Sequence, residues 1–308
     1  VKQMPMEDYL RLKAWSAGDL ETLLERCPAA AHAGSAFNPD RELDFSTAAD
    51  LGTIAHSIVC EKNEGAVDVI DPKDYPAKTT GAIPEGWTNN AIRSARDQAR
   101  AVGKIPVLLS DMARVRTMAA AVRAFIERLR AAEPAVALAY EKGLPERVLE
   151  WTDPIGNLPC KIRPDILAPD FSIIIDFKFT ERSAEPESYS LRAIANGGGY
   201  MRAAFYRRGV QMTQQAAPCY LFVVTEQEAP HLSSCVGVDP RGMEIGEQRV
   251  EHALSTLAVC VERNEFPSYP ARVVYPEVPP WVESRWLAKQ VEAGIPYDIS
   301  KLFQRSTP

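Results

Sequence analysis

The chain has 308 residues, 46% of them hydrophobic and 25% charged, with a formal net charge of −6. That apolar share is enough for a full core in one large domain or two small ones. The acidic balance argues against a protein that coats nucleic acid by bulk charge, although a local basic patch remains compatible with it.

Residues 8–27, with Tyr9, Leu10, Leu12, Leu20, Leu23 and Leu24, predict two short helices broken near Ala17-Gly18 and closed by Pro28. After a loop through Asn38-Pro39-Asp40, residues 46–60 predict a helix capped by Ser46 or Thr47, with His56 on the same side as Gly52. Residues 62–90 are punctuated by Pro72, Pro76, Pro84 and Gly86, and read as a loop or insertion with little regular structure. Positions 93–130 collect Arg93, Arg96, Arg100, Lys104, Arg114, Arg116, Arg123, Arg128 and Arg130. This run is either a solvated helical face or a DNA-contacting patch. Within it, Met112, Val115, Met118, Ala119, Val122, Phe125, Ile126 and Leu129 recur at helical spacing and predict a core-facing helix over 111–132, with Ser110 as cap.

Strands are expected at 146–151, 159–167, 172–180 and 218–225, with a helix containing Tyr200 and Tyr206 between the last two. A strand at 233–238 and a helix at 243–263 complete the layer. Arg202, Arg207 and Arg208 form a second basic cluster. From Pro267, the prolines at 270, 276, 279 and 280 lead through Trp281 into a short amphipathic segment, which suggests an extended arm ending in a helix. We read the chain as a single α/β domain: an N-terminal helical part (1–45), a core (46–265) and a C-terminal arm (266–308). None of the six cysteines has CxxC spacing, so neither a zinc site nor a disulfide framework is indicated and reduced thiols are expected. There is no signal pattern or bilayer-length apolar run, and the expected location is cytoplasmic, away from membranes.

The most informative stretch is Arg163 to Lys178, with Pro164-Asp165 followed by Ile173-Ile174-Ile175-Asp176-Phe177-Lys178. Three isoleucines predict a buried strand, and period-two alternation puts Asp176 and Lys178 on one face and Phe177 on the other. Asp165 meets them across a hairpin. Such an Asp-x-Lys alone is usually a solvated strand edge, but a carboxylate emerging from a buried strand needs a compensating charge. Two converging carboxylates suit Mg²⁺, with Mn²⁺ as a substitute, and the lysine can orient a water or offset charge on a phosphate. That is the chemistry of phosphodiester hydrolysis.

Pro164-Asp165 and Asp176-Phe177-Lys178 resemble the signature of the PD-(D/E)xK nuclease superfamily. Gly52-Thr53-Ile54-Ala55-His56, the acidic segment Pro145 to Trp151 and the helix Tyr200 to Tyr206 resemble elements of its RecE-type (exonuclease VIII-like) phage exonucleases. The resemblance implies a restriction-endonuclease-like core, a central mixed β-sheet flanked by helices. It also implies a Mg²⁺-dependent exodeoxyribonuclease that digests linear duplex DNA from its ends, 5′ to 3′, leaving 3′ tails for recombination. Asp165 and Asp176 would be the principal metal ligands, with Glu146, His56 and the Phe177 carbonyl completing the shell and Glu150 as fallback for Glu146. Lys178 would align or deprotonate the attacking water, and Arg163, Tyr200, Arg202 and Tyr206 would position DNA. The family helix usually carries glutamine where this chain has Arg202, and an arginine there can still meet a phosphate bidentately. Processive members work as homo-oligomeric rings beside a single-strand-annealing recombinase. The alternatives are a structure-specific or restriction-like endonuclease, and an inactive nuclease-derived DNA-binding protein.

Overall fold

The computed structural model describes residues 2–42, 51–62, 64–65, 67–77 and 80–292. In chain order these form β1 (Lys2–Gln3), α1 (Met6–Arg11), α2 (Ala17–Glu25), α3 (Pro28–Gly34), α4 (Leu51–Glu61), β2 (Val67–Ile70), α5 (Asn90–Ala101), β3 (Ile105–Leu108), α6 (Leu109–Leu129) and α7 (Pro134–Lys142). Next come β4 (Leu144–Pro145), β5 (Arg147–Asp153), β6 (Leu158–Ile162), β7 (Ile166–Leu167), β8 (Ile173–Thr180), α8 (Pro186–Tyr189), α9 (Gly199–Gln214), β9 (Cys219–Glu226), β10 (Ser233–Gly237), α10 (Pro240–Arg263) and α11 (Pro280–Glu292). The chain divides into two compact units, Val1–Ser268 and Tyr269–Pro308. Helix α11 belongs to the second, where Tyr269, Val273, Val274, Tyr275, Val278, Trp281 and Trp286 are exposed.

The first unit is built on a mixed sheet in the order β10-β9-β8-β7-β4, with β8 and β9 parallel and the other pairs antiparallel. Its two faces bury two different cores, because side chains alternate along each strand. Ile174, Tyr220, Phe222 and Val224 face a core shared with α2, α9, α10, β5 and β6, whereas Ile173, Ile175, Phe177 and Val223 face α4, α6 and α7. This sheet, buried on both sides by helices, is the central mixed layer expected from the sequence.

Local chemistry sets the element ends. Ser16 and Asp19 form a reciprocal capping box at α2, which moves the first helical break upstream of the expected Ala17-Gly18. Pro28 starts α3 at its first turn, where a missing N–H costs nothing; it does not end the preceding helix as expected. Asp239 caps α10 by accepting from the Arg241 and Gly242 amides, so that helix begins at Pro240, ahead of the expected 243. Helix α6 starts at Leu109 with no side-chain cap, so Ser110 lies inside its first turn. The proline-rich stretch 62–90 contains β2, which pairs in parallel with β3. Here pairing with β3 outweighs the punctuation around Val67 to Ile70. The predicted strand 159–167 divides into β6 and β7, and the predicted caps Ser46 and Thr47 lie outside the described residues.

The N-terminal helices are tied to a second, three-stranded sheet (β1-β5-β6) by Lys161 on β6, whose ammonium donates to the carbonyls of Tyr9 (2.8 Å) and Leu12 (2.7 Å). The residue is 4% exposed. Burial brings its pKa down to about 8, with Asp19 opposing the shift. From about pH 8 up to the ordinary lysine range, the unfolded chain therefore binds more protons than the folded one, and stability rises with pH across that window. In denaturant titrations at stepwise pH, Lys161→Met should remove this rise; curves that stay parallel between the two proteins would refute the assignment.

Candidate active site

The β7–β8 hairpin creates the site. Ile166 pairs with Ile175 and Leu167 with Ile174, which brings Asp165, just ahead of β7, alongside Phe177. The Phe177 amide donates to Asp165 Oδ2 at 2.7 Å. Within a strand the N–H and C=O of one residue point to the same edge, so the Phe177 carbonyl also faces the Asp165 side. Asp176 projects from the opposite face of β8 to Phe177, is 5% exposed, and accepts from the buried Tyr220 hydroxyl at 2.8 Å. Lys178 forms an ion pair with the other Asp176 oxygen. From α4, His56 Nε2 stands 2.8 Å from Asp165 Oδ2.

The two carboxyl groups act on each other electrostatically and divide in character. Burial raises the pKa of both, but for Asp165 the His56 imidazole, Lys178 and the hydrogen bonds prevail and hold it well below the usual carboxylate range. For Asp176, burial and the neighbouring Asp165 charge outweigh Lys178, and its pKa is raised. Lys178 loses some basicity to burial and regains more from the two aspartates, so it is held as an ammonium. His56 is likewise disfavoured as a cation by burial and favoured more strongly by Asp165.

Glu146 sits beside this group through its backbone, its amide donating to the Asp165 carbonyl at 3.0 Å. It occupies the left-handed region (φ 50°) between β4 and β5, a conformation costly for a non-glycine residue. Its carboxylate pairs with Arg163. Glu150 pairs with Lys2 at 2.8 Å, where β1 joins β5, so Glu146 is the better placed of the two candidates. The side chain of Arg163 is 10% exposed, and besides Glu146 it contacts Met6 Sδ at 3.5 Å. These contacts leave it little freedom to meet DNA. A cleft of roughly 800 Å³ opens beside Thr53, His56, Pro145, Glu146 and Arg163. A smaller one of roughly 300 Å³ is lined by Gly52, Thr53, His56, Phe177, Lys178 and Phe179. His56 therefore borders both.

On α9 the expected DNA contacts separate. The Tyr200 ring packs on α10, where a Cβ at Gly242 would come within 2.6 Å of it. Tyr206 lies 5.6 Å from Tyr220, edge to face, with its hydroxyl 3.5 Å from the Arg163 carbonyl. Arg208 is committed to the fully buried Asp153, donating at 2.6 and 2.8 Å. Of the 93–130 run, Arg93 binds backbone carbonyls, and Arg96, Arg114, Arg116 and Arg130 pair with carboxylates, as a solvated helical face would.

Three participants escaped sequence reasoning. Tyr220, from the inward alternation of β9, fixes Asp176. Cys60 follows His56 by one helical turn, and with His56 and Asp165 it forms a group whose ligand atoms all lie within 4.8 Å of one another. Its signal was the His-x-x-x-Cys spacing, which a search for cysteine pairs passes over. Glu21 on α2 accepts from Arg202 Nη2 at 2.8 Å, and its other oxygen is buried with no hydrogen-bond partner. Burial raises the Glu21 pKa even against the Arg202 charge. Arg202 is thus balanced by a carboxylate from the N-terminal part.

A double-mutant cycle on stability should give Glu21→Gln and Arg202→Gln a coupling energy of roughly 0.5–3 kcal/mol, the range for contacting pairs. The double variant should then be more stable than the sum of the single losses predicts. Additive losses would show that the pair carries no net interaction.

Asp165 and Asp176, with Glu146 held beside them through its backbone, offer carboxylate oxygens, the kind of donor a hard divalent cation takes. No curated protein sequence matches this chain. Five solved chains match it, among them a "putative exonuclease" from Eubacterium rectale, with a TM-score of 0.53, 11% sequence identity, 96% of this chain covered and 100% of that one. At that identity the likeness concerns the fold. The family described as "PDDEXK-like domain of unknown function (DUF3799)" matches residues 16–275, most of the chain, and the chain belongs to that family.

Proposed function

We propose that this protein is a Mg²⁺-dependent deoxyribonuclease that degrades linear duplex DNA from its ends. The observation that carries the reading is the convergence of Asp165, Asp176 and Lys178 at the end of one buried hairpin, with His56 beside them. Asp165 and Asp176 would hold the cation, with Glu146, His56 and the Phe177 carbonyl as the further candidates around it. Mn²⁺ would substitute. Such an ion, when bound, polarises the phosphodiester and acidifies water.

The protein's own groups supply the rest. Tyr220 holds the Asp176 carboxylate in one orientation by donating to Oδ2. Lys178, kept cationic, orients the attacking water and offsets negative charge gathering on the phosphorane oxygens. Arg202 makes one side-chain hydrogen bond, to Glu21, among the described residues, which leaves Nε and Nη1 to meet a phosphate oxygen. End dependence and 5′ to 3′ polarity rest on the RecE-type resemblance, and the name of the Eubacterium rectale protein agrees with an exonuclease. A homo-oligomeric ring acting beside a single-strand-annealing recombinase would let an acidic protein stay on duplex DNA by topology, with less reliance on phosphate contacts.

The test compares linear and covalently closed circular duplex of one sequence, with Mg²⁺ and with EDTA. Linear DNA alone should disappear, EDTA should stop it, and Lys178→Ala should lower the rate by about 10²-fold or more, the scale of losing one preorganised charge-stabilising group. Cutting of the circle would replace the exonuclease with an endonuclease. Degradation of neither form would leave a DNA-binding role.

A further inference from the structure

We propose that His56, Cys60 and Asp165 form a second, thiophilic metal site that takes Zn²⁺, and that Zn²⁺ bound there blocks the nuclease by occupying Asp165. The thiol is the reason to separate this site from the Mg²⁺ centre. Mg²⁺ takes oxygen ligands and gains nothing from sulfur, whereas cysteine, histidine and aspartate together are a ligand set suited to Zn²⁺.

The three ligand atoms lie within 4.8 Å of one another, near enough to share one ion once the side chains turn toward it. His56 and Cys60 are four residues apart on α4 and so share one face of the helix, the same spacing that pairs two histidines on zinc in helical motifs. Tetrahedral zinc, with its usual bond lengths to nitrogen and sulfur, separates those two atoms by about 3.6 Å. Cys60 Sγ lies 3.6 Å from His56 Nε2 but also 3.8 Å from Nδ1, so the thiol sits beside the ring and the imidazole must turn to aim Nε2 at an ion shared with the sulfur. For nitrogen and carboxylate oxygen the same geometry gives about 3.3 Å, whereas Nε2 and Asp165 Oδ2 are 2.8 Å apart. Those two must part by about half an ångström, a shift a side-chain rotation supplies. Cys60 is fully buried, while His56 borders both clefts, so an ion enters from the His56 side and reaches sulfur last. The fourth position then faces the cleft and takes water. On binding, the Cys60 thiol proton and any proton on His56 pass to solvent.

Co²⁺ is the probe, because cobalt bound to a thiolate gives a charge-transfer absorption in the near ultraviolet that oxygen and nitrogen ligands do not. Cys219 is an exposed thiol, so all proteins carry Cys219→Ser. Co²⁺ should produce the band in this background, Zn²⁺ should abolish it, and Cys60→Ser or Cys60→Ala, each checked for folding by circular dichroism, should lack it. No band in the Cys219→Ser protein, or a band that survives in folded Cys60 variants, overturns the site. In nuclease assays at fixed Mg²⁺, Zn²⁺ should inhibit the Cys60 variants at least about tenfold more weakly, since metal affinity falls by that much even when an outer-sphere partner is lost. Equal inhibition overturns the regulatory claim. Only this second arm rests on the nuclease reading; if DNA is never cut, the cobalt band alone decides whether the site exists.

Discussion

Two buried carboxylates, Asp165 just ahead of β7 and Asp176 within β8, are the constraint around which the site is arranged. Asp176 follows three isoleucines within β8, with Ile174 and Ile175 fully buried. Asp165 receives the Phe177 amide across the hairpin. Neither charge can be supported by water alone in such a place. Each neighbour answers that problem: Lys178 and Tyr220 for Asp176, His56 and the Phe177 amide for Asp165. The divergence of the two carboxyl groups, one lowered and one raised, follows from like charges sharing a desolvated pocket.

The same requirement extends outward. Arg202 brings another cation near Asp176, and Glu21 from α2 answers it. Arg163 pairs with Glu146, and the N-terminal segment touches that pair through Met6. The N-terminal helices are therefore part of the wall of the site, anchored by Lys161 to the backbone of Tyr9 and Leu12. Most arginines of the long basic run are engaged in surface pairs, which contribute little to stability.

What the sequence disclosed, it disclosed through periodicity and local chemistry. The alternation in Ile173 to Lys178 placed Asp176 and Phe177 on opposite faces, and the hairpin to Asp165 formed as the Pro-Asp spacing suggested. The α6 stripe is buried from Met112 to Ile126. What stayed hidden depended on long-range pairing. Strand β2 becomes a strand because β3 lies beside it, some forty residues later. Glu21 meets Arg202 across 181 positions, and nothing near either residue announces the other. Cys60 belongs to a group of three different residue types, so cysteine spacing alone was blind to it. Pro28 misled because a proline after a helical run suggests an end, whereas here it is the first residue of the next helix.

The central claim is that Asp165 and Asp176 act together as one divalent-cation centre. Titration of Mn²⁺ into the protein, followed by the loss of the free-ion electron paramagnetic resonance signal, tests it without DNA. The account predicts saturable binding that Mg²⁺ displaces and that Asp165→Asn and Asp176→Asn each weaken strongly while the fold is kept. Binding unchanged in both folded variants would contradict it.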